Sequence, residues 1–191
     1  DVRKGLTTSN DDQFLKLWHE ININDSYTNS KSNDDFVLTE KKWAPLNKGG
    51  DYRKWYGNFQ YFINWSNNGE EIKNFKFENG KQRSVTRNLS YSFLEGVTWN
   101  AVGHGKFCCR FVPPGFMMND VGPTIYNFKN NYFLMSFMMS NIGQKIFNVL
   151  CPTMKFEVGQ FQSFPILNFK NFSDEIKTLA KENINISKEE W

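Results

Sequence analysis

Histidine and cysteine are scarce in this 191-residue chain, with two of the first and three of the second. Two of the cysteines, Cys108 and Cys109, are adjacent, so no disulfide framework can be read from them. Cys108, Cys109, Cys151, His19 and His104 also miss the paired-cysteine and histidine-on-helix spacings of structural metal sites, which argues against a metal centre. Any uninterrupted apolar run long enough to span a membrane is missing, so no membrane partner is expected. Charge of one sign hardly exceeds the other: 23 Lys and Arg against 20 Asp and Glu leave +3, with a pI near 8.7. That mild basicity is compatible with nucleic acid but does not by itself argue for it. A glycine-rich phosphate loop is lacking too, since Gly49 and Gly50 stand alone. Glu70 and Glu71 form a carboxylate pair, but catalysis needs convergence that their order in the chain does not supply. Together these absences favour binding over catalysis. Few cysteines and no secretory signal suit a reducing cytoplasm, and the chain, opening at Asp1 without methionine, reads as a piece of a longer protein.

Aromatics are what the chain has in abundance: 19 Phe, 7 Tyr and 6 Trp, or 17% of residues, which excludes general disorder. Its length suits one domain with a real core. Cations, glycines and aromatics interleave most densely from Trp43 to Trp65, with Lys48, Gly49, Gly50, Arg53, Lys54 and Trp55 in succession before a strand-like run from Phe59 to Trp65. The pattern predicts a basic glycine loop mounted on a buried strand, or a plain hairpin with a solvated loop.

Along the rest of the chain, the apolar spacing of Phe14, Leu15, Leu17, Trp18 and Ile21 predicts a helix over about Asn10 to Glu20. An Asn, Ser and Asp-rich loop follows from Asn22 to Asp35, then a short strand within Phe36 to Trp43. Turns are expected at Ser66 to Gly69 and at Asn79 to Gly80. A basic, polar segment holds Lys81, Arg83 and Arg87; strands occupy the region from Tyr91 to Phe116, including Phe107 to Val112. Periodicity predicts one long helix from Asn131 to Leu150, stopped by Pro152, and a last helix beginning at Ser173.

Several runs resemble a known family. Trp43 to Gly50, with Tyr52 to Asn58, Ile63 to Trp65, Gly69, Glu70 and Ile72, is similar to the specificity region of large adenine-specific DNA methyltransferases, including the BREX phage-defence enzymes and fused type II restriction-modification enzymes. Gly5 to Thr7, Glu95 to Trp99, Gly105 to Phe107 with Arg110, and Gly115 with Phe116 extend the likeness. The late run Leu150, Pro152, Thr153, Phe156, Val158, Gly159 and Phe164 to Ile166 resembles the closing motif of DNA-specificity domains, with Cys151 and Gln160 as departures from it.

The resemblance implies a target recognition domain of α+β class, a twisted, mostly antiparallel sheet packed with helices. It would span residues 1–172, with 173–191 leading into the remainder of the parent. Its partners would be duplex DNA, the parent's catalytic domain, and other restriction or BREX subunits. S-adenosylmethionine would bind in that absent catalytic domain, and no cofactor in this chain: Val112 to Gly115 hold two prolines without the acidic or amide residue and aromatic that flank them in the catalytic motif. Phosphate contacts would come from Lys48, Arg53, Lys54, Lys81, Arg83, Arg87 and Lys106, and base reading from Arg83, Arg87, Asn88 and His104. The alternative is a protein-interaction module docking the catalytic domain or another defence subunit; a carbohydrate-binding module is a third possibility.

Overall fold

A computed structural model describes residues 1–103, 105–153, 155–166 and 173–191. In chain order the elements are β1 (Val2–Arg3), α1 (Asp11–Phe14), β2 (Leu15–Leu17), α2 (Asn33–Leu38), β3 (Trp43–Asn47), β4 (Tyr61–Asn64) and α3 (Ser66–Lys73). After these come β5 (Gly96–Trp99), β6 (Cys109–Val112), β7 (Met117–Met118), β8 (Thr124–Tyr126), α4 (Asn131–Met139), α5 (Asn141–Leu150), α6 (Val158–Gln162) and α7 (Ser173–Glu189).

The fold is α+β, as the sequence implies, but the strands divide into two four-stranded sheets instead of one. The first has the order β1-β8-β5-β6 and is antiparallel throughout; the second has the order β2-β4-β3-β7, with β3 and β7 parallel. Each sheet has its own core. Val97, Trp99, Cys109 and Ile125 of the first sheet pack with Leu134, Met138, Phe147, Phe161 and Ile184 from the helices. Leu46, Ile63 and Met117 of the second pack with Phe14, Phe36, Trp65 and Phe93. The aromatics abundant in the sequence supply much of this fill: Trp99 stacks on Phe161 with ring centroids 3.8 Å apart, and Phe107 on Phe147 at 4.1 Å.

One buried asparagine ties the sheets together. Asn47, at the end of β3, directs its Nδ2 at Thr98 Oγ1 (2.8 Å) on β5, Gly122 O (3.2 Å) and Thr124 Oγ1 (3.3 Å) on β8. Thr98 and Thr124 are cross-strand partners, so this one amide grips two strands of the opposite sheet. Its backbone carbonyl also accepts from Asn119 N at 3.1 Å.

Four expectations need correction. The helix expected over Asn10 to Glu20 is a single turn, α1, which yields to β2 because Leu15–Leu17 pair with β4. Tertiary pairing overrides the helical spacing there. The strand expected in Phe36 to Trp43 starts only at Trp43; Phe36 lies in α2, whose first turn is capped by Ser32 accepting from Asp35 N. The long helix from Asn131 to Leu150 is broken at Ser140. With ψ 164°, that residue closes α4, and its Oγ accepts from Gly143 N at 3.1 Å to open α5. Gly143 then packs so closely on the end of α4 that a Cβ would lie 2.3 Å from Phe137 O. The strand from Phe59 to Trp65 shortens to β4, buried on both faces at Phe62 and Ile63.

The turns hold. Asn67, Asn68 and Gly69 take left-handed conformations in succession, and Phe77 N donates to Lys81 O (2.9 Å) around Gly80. Helix α7 packs on α4 and buries Ala180 and Ile184. Among the described residues, no helix is long and apolar enough to cross a membrane.

Candidate nucleic-acid interface

Most of the sequence-predicted cations occupy loops that a chain of short contacts joins. Lys81, Arg83 and Arg87 lie on a hairpin edge running from Lys76 to Asn88, and all three are exposed. This edge pairs with the N-terminal segment: Thr7 and Val85 exchange backbone hydrogen bonds of 2.8 and 2.9 Å, and Ser9 Oγ donates to Arg83 O at 2.8 Å. Arg87 Nη2 donates to Thr7 Oγ1 (3.1 Å), and Thr7 Oγ1 to Asp120 Oδ2 (2.8 Å). The Arg83 guanidinium lies over Phe75 and Phe77, at 4.8 and 5.3 Å from their centroids. Asn88 has φ 54°, and its Nδ2 donates to Lys4 O at 2.9 Å, fixing the end of the edge.

The same N-terminal segment reaches the glycine loop. Thr8 Oγ1 donates to Asp11, whose other carboxylate oxygen meets Lys48 Nζ at 2.8 Å. Lys48 Nζ also lies 4.5 Å from the Tyr61 ring centroid. Burial pushes the Asp11 carboxyl up, but the hydrogen bonds from Lys48 and Thr8 outweigh it and hold the group below the ordinary carboxylate value. Lys48 is therefore a paired cation.

Beyond it, Gly49 and Gly50 have φ of 95° and 141°, a path that glycine takes without strain. Asn100 Nδ2 donates to Gly50 O (2.6 Å), and Asn58 Nδ2 donates to Asp51 O (2.8 Å), so both limbs of the loop are held. Trp55 docks the loop on the edge of β6: its N–H donates to Cys109 O (3.0 Å) and its carbonyl accepts from Phe111 N (2.8 Å). Arg53 lies half-buried with its guanidinium 4.9 Å from the Trp191 ring centroid. Lys54 and Lys106 are exposed, and Lys106 lines a cavity of about 150 Å³ with Gly50, Tyr52, Asn100, Cys108 and Phe156.

Lys54, Lys81, Arg83, Arg87 and Lys106 thus stand in solvent with no carboxylate partner among the described residues. His104 lies outside the described residues. Sequence reading gave no site role to Asn100, which lines that cavity, or to Arg110, which is fully buried and donates to Asn100 Oδ1 at 2.9 Å. Arg110 was legible only as one position of a family-like run. Its burial depends on the loop around Trp55, which comes from a distant part of the chain.

No three His, Cys, Asp or Glu side chains gather into a metal-holding group among the described residues. The cysteines are unpaired and buried. Burial pushes the thiols of Cys108 and Cys151 up and that of Cys109 well up, away from the thiolate form a nucleophile needs.

Fold and surface together define an α+β unit that displays Lys54, Lys81, Arg83, Arg87 and Lys106 on loops. The comparisons with known proteins narrow this. No protein-family model matches the chain. Over its whole length it is 36% identical, across 195 aligned positions, to the adenine-specific methyltransferase PglX of Lacticaseibacillus casei (strain Zhang), covering 16% of that protein. Over 98% of its length it is 33% identical to the adenine-specific methyltransferase BrxX of Escherichia coli O9:H4 (strain HS), covering 14%. The chain is therefore similar to one segment of these methyltransferases and spans less than a fifth of either.

Proposed function

We propose that the chain is a target recognition module of an adenine-specific DNA methyltransferase, and that it positions duplex DNA for a catalytic domain located elsewhere in its parent. The observation that carries this reading is the full-length likeness to a segment that makes up only 16% and 14% of two adenine-specific methyltransferases. The exposed cations give the likeness a physical counterpart. Lys54, Lys81, Arg83, Arg87 and Lys106 contact phosphates, with Arg83 and Arg87 also able to reach guanine edges as bidentate donors. Lys48, Arg53 and Asn88, each engaged with neighbouring residues, hold the loops that present them. His104 stays with the base readers on sequence grounds. S-adenosylmethionine binds and methyl transfer takes place in the catalytic domain, in the cytoplasm, with the target adenine flipped out of the duplex.

The test is salt-dependent duplex binding. The chain should bind duplex DNA modestly, with affinity falling steeply as salt rises, and should transfer no methyl group when given S-adenosylmethionine. Neutralising Lys54, Arg83 and Arg87 together in the parent should weaken DNA binding; unchanged binding would refute this footprint.

A second reading has one specific observation in its favour. Ile142 and Val149 on α5 are 57% and 80% exposed, an apolar stripe suited to docking another protein surface. Within the parent, both roles can coexist.

A further inference from the structure

Arg110 occupies a costly position. It lies on β6 opposite Thr98, and its side chain is 0% exposed. Nη2 donates to Asn100 Oδ1 at 2.9 Å, while Nε and Nη1 have no hydrogen-bond partner among the described residues. No carboxylate pairs with it among the described residues. A buried guanidinium without counter-charge is strongly disfavoured, and burial accordingly pulls Arg110 down to about 10. Its electrostatic neighbours are the thiols of Cys108 and Cys109 and a second cation, Arg53. Burial keeps both thiols protonated near neutral pH, so neither supplies the missing negative charge.

A cavity of about 150 Å³ lies one residue away: Arg110 does not line it, but its hydrogen-bond partner Asn100 and its near neighbour Cys108 do. Asn100 belongs to both places: its Oδ1 accepts from Arg110 and its side chain lines the cavity, with Lys106 at the rim. The cover is the Gly50–Tyr52 loop, fastened by Asn100 Nδ2 to Gly50 O (2.6 Å) and Asp51 O (3.3 Å). A rotation of the Asn100 amide would therefore break its bonds to the loop and to the guanidinium together. In the lining Asp51 is the one carboxylate and Lys106 the one cation.

We propose that this cavity is a phosphate site in which Arg110 and Lys106, uncovered when Asn100 turns aside, hold one phosphodiester of a nucleic-acid backbone. The inference rests on the DNA reading above. The phosphate supplies the absent counter-charge, and two of its oxygens match the fork of guanidinium donors.

Two measurements test it. The first is thermal unfolding of the chain in inorganic phosphate against chloride at matched ionic strength. Phosphate should raise the midpoint of the unaltered chain by a few degrees, and Arg110→Met should lose that increment. In chloride, Arg110→Met should unfold at the same temperature or higher, because an uncompensated charge has been replaced by an apolar side chain. The second is duplex titration at several salt concentrations, where Arg110→Met should weaken binding about tenfold and flatten the log–log salt slope by about 0.9, the worth of one phosphate. A phosphate increment as large in Arg110→Met as in the unaltered chain overturns the site, since phosphate stabilises any fold somewhat by exclusion from its surface. Should that variant not fold, Lys106→Gln at the exposed rim carries the same test, and an unaltered increment there is equally fatal. If phosphate stabilises through Arg110 but no duplex binds, the DNA reading fails and the site takes a free phosphate. If duplex affinity survives Arg110→Met intact, the DNA reading stands and this site falls.

Discussion

Replacing Asn47 should separate the effect of joining the two sheets from that of filling either core. Asn47, Thr98 and Thr124 are all buried. The threonine hydroxyls already donate, Thr98 to Pro123 O (2.9 Å) and Thr124 to Gly122 O (3.2 Å), leaving their lone pairs to accept from Asn47. Asn47→Ala removes about two neutral hydrogen bonds at roughly 1 kcal/mol each, leaves buried acceptors unfilled, and opens a small void, for a total of about 2–4 kcal/mol. In a chain of this length that corresponds to a midpoint lower by roughly 5–12 °C. Asn47→Asp keeps the shape but turns the donor into an oxygen facing three oxygens. Burial raises the folded-state pKa of such a carboxyl above its unfolded value, so its destabilisation is complete above the folded pKa and fades as pH falls through it. Circular dichroism melts at pH 8 and pH 5 read both effects. The Asp variant should be the worse of the two at pH 8 and should recover part of its loss at pH 5. If both variants melted within about 1 °C of the unaltered chain, the polar tie would not be what holds the sheets together.

Other expected outcomes follow from local geometry. Ser140→Ala deletes the cap that opens α5 and should cost about 1 kcal/mol, read as a midpoint roughly 2–4 °C lower; an unchanged melt would mean the helix break needs no capping hydroxyl. Lys48→Met should lower stability by at most about 1 kcal/mol at neutral pH, because the Lys48–Asp11 pair is partly exposed. Asp11 is held below its ordinary value, so that contribution is present above about pH 4 and disappears as pH falls further; a difference that grew in acid would contradict the pairing. Cys109 should react with a thiol-specific disulfide reagent only after unfolding, whereas rapid labelling of the native chain at pH 8 would contradict its burial. In duplex titrations, Arg83→Ala and Arg87→Ala should each flatten the salt slope by about 0.9, and Lys48→Ala by clearly less.

Local chemistry written in consecutive residues was legible before the structure was known. The turn at Asn79–Gly80, the last helix beginning at Ser173, and the strand-like part of the run from Trp43 to Trp65 all have direct structural counterparts. What failed depends on distant partners. Leu15 to Leu17 carry a helical spacing, yet β4 claims them as an edge strand. Ser140 reads as an ordinary polar residue in a helix; its role as the cap of α5, and the lack of room for a side chain at Gly143 beside Phe137 O, show only in the folded chain. A signal for α2 was present and went unread, since Ser32 followed by Asp35 is a capping pattern. At the candidate site, the sequence gives the cations but not their pairing. Nothing in it sets Lys48 against Asp11, or buries Arg110 while leaving Arg83 and Arg87 in solvent. Those differences arise where the N-terminal segment meets the Lys76–Asn88 hairpin and where Trp55 docks on β6, contacts between residues dozens of positions apart.

Under the function proposed above, this segment chooses the DNA sequence its parent methylates. The most direct measurement exchanges it, end for end, with the aligned segment of a similar adenine-specific methyltransferase and maps the adenines then methylated in cells by single-molecule sequencing. The methylated sequence should change to that of the donor of the segment. An active hybrid that still methylated the recipient's original sequence would contradict it.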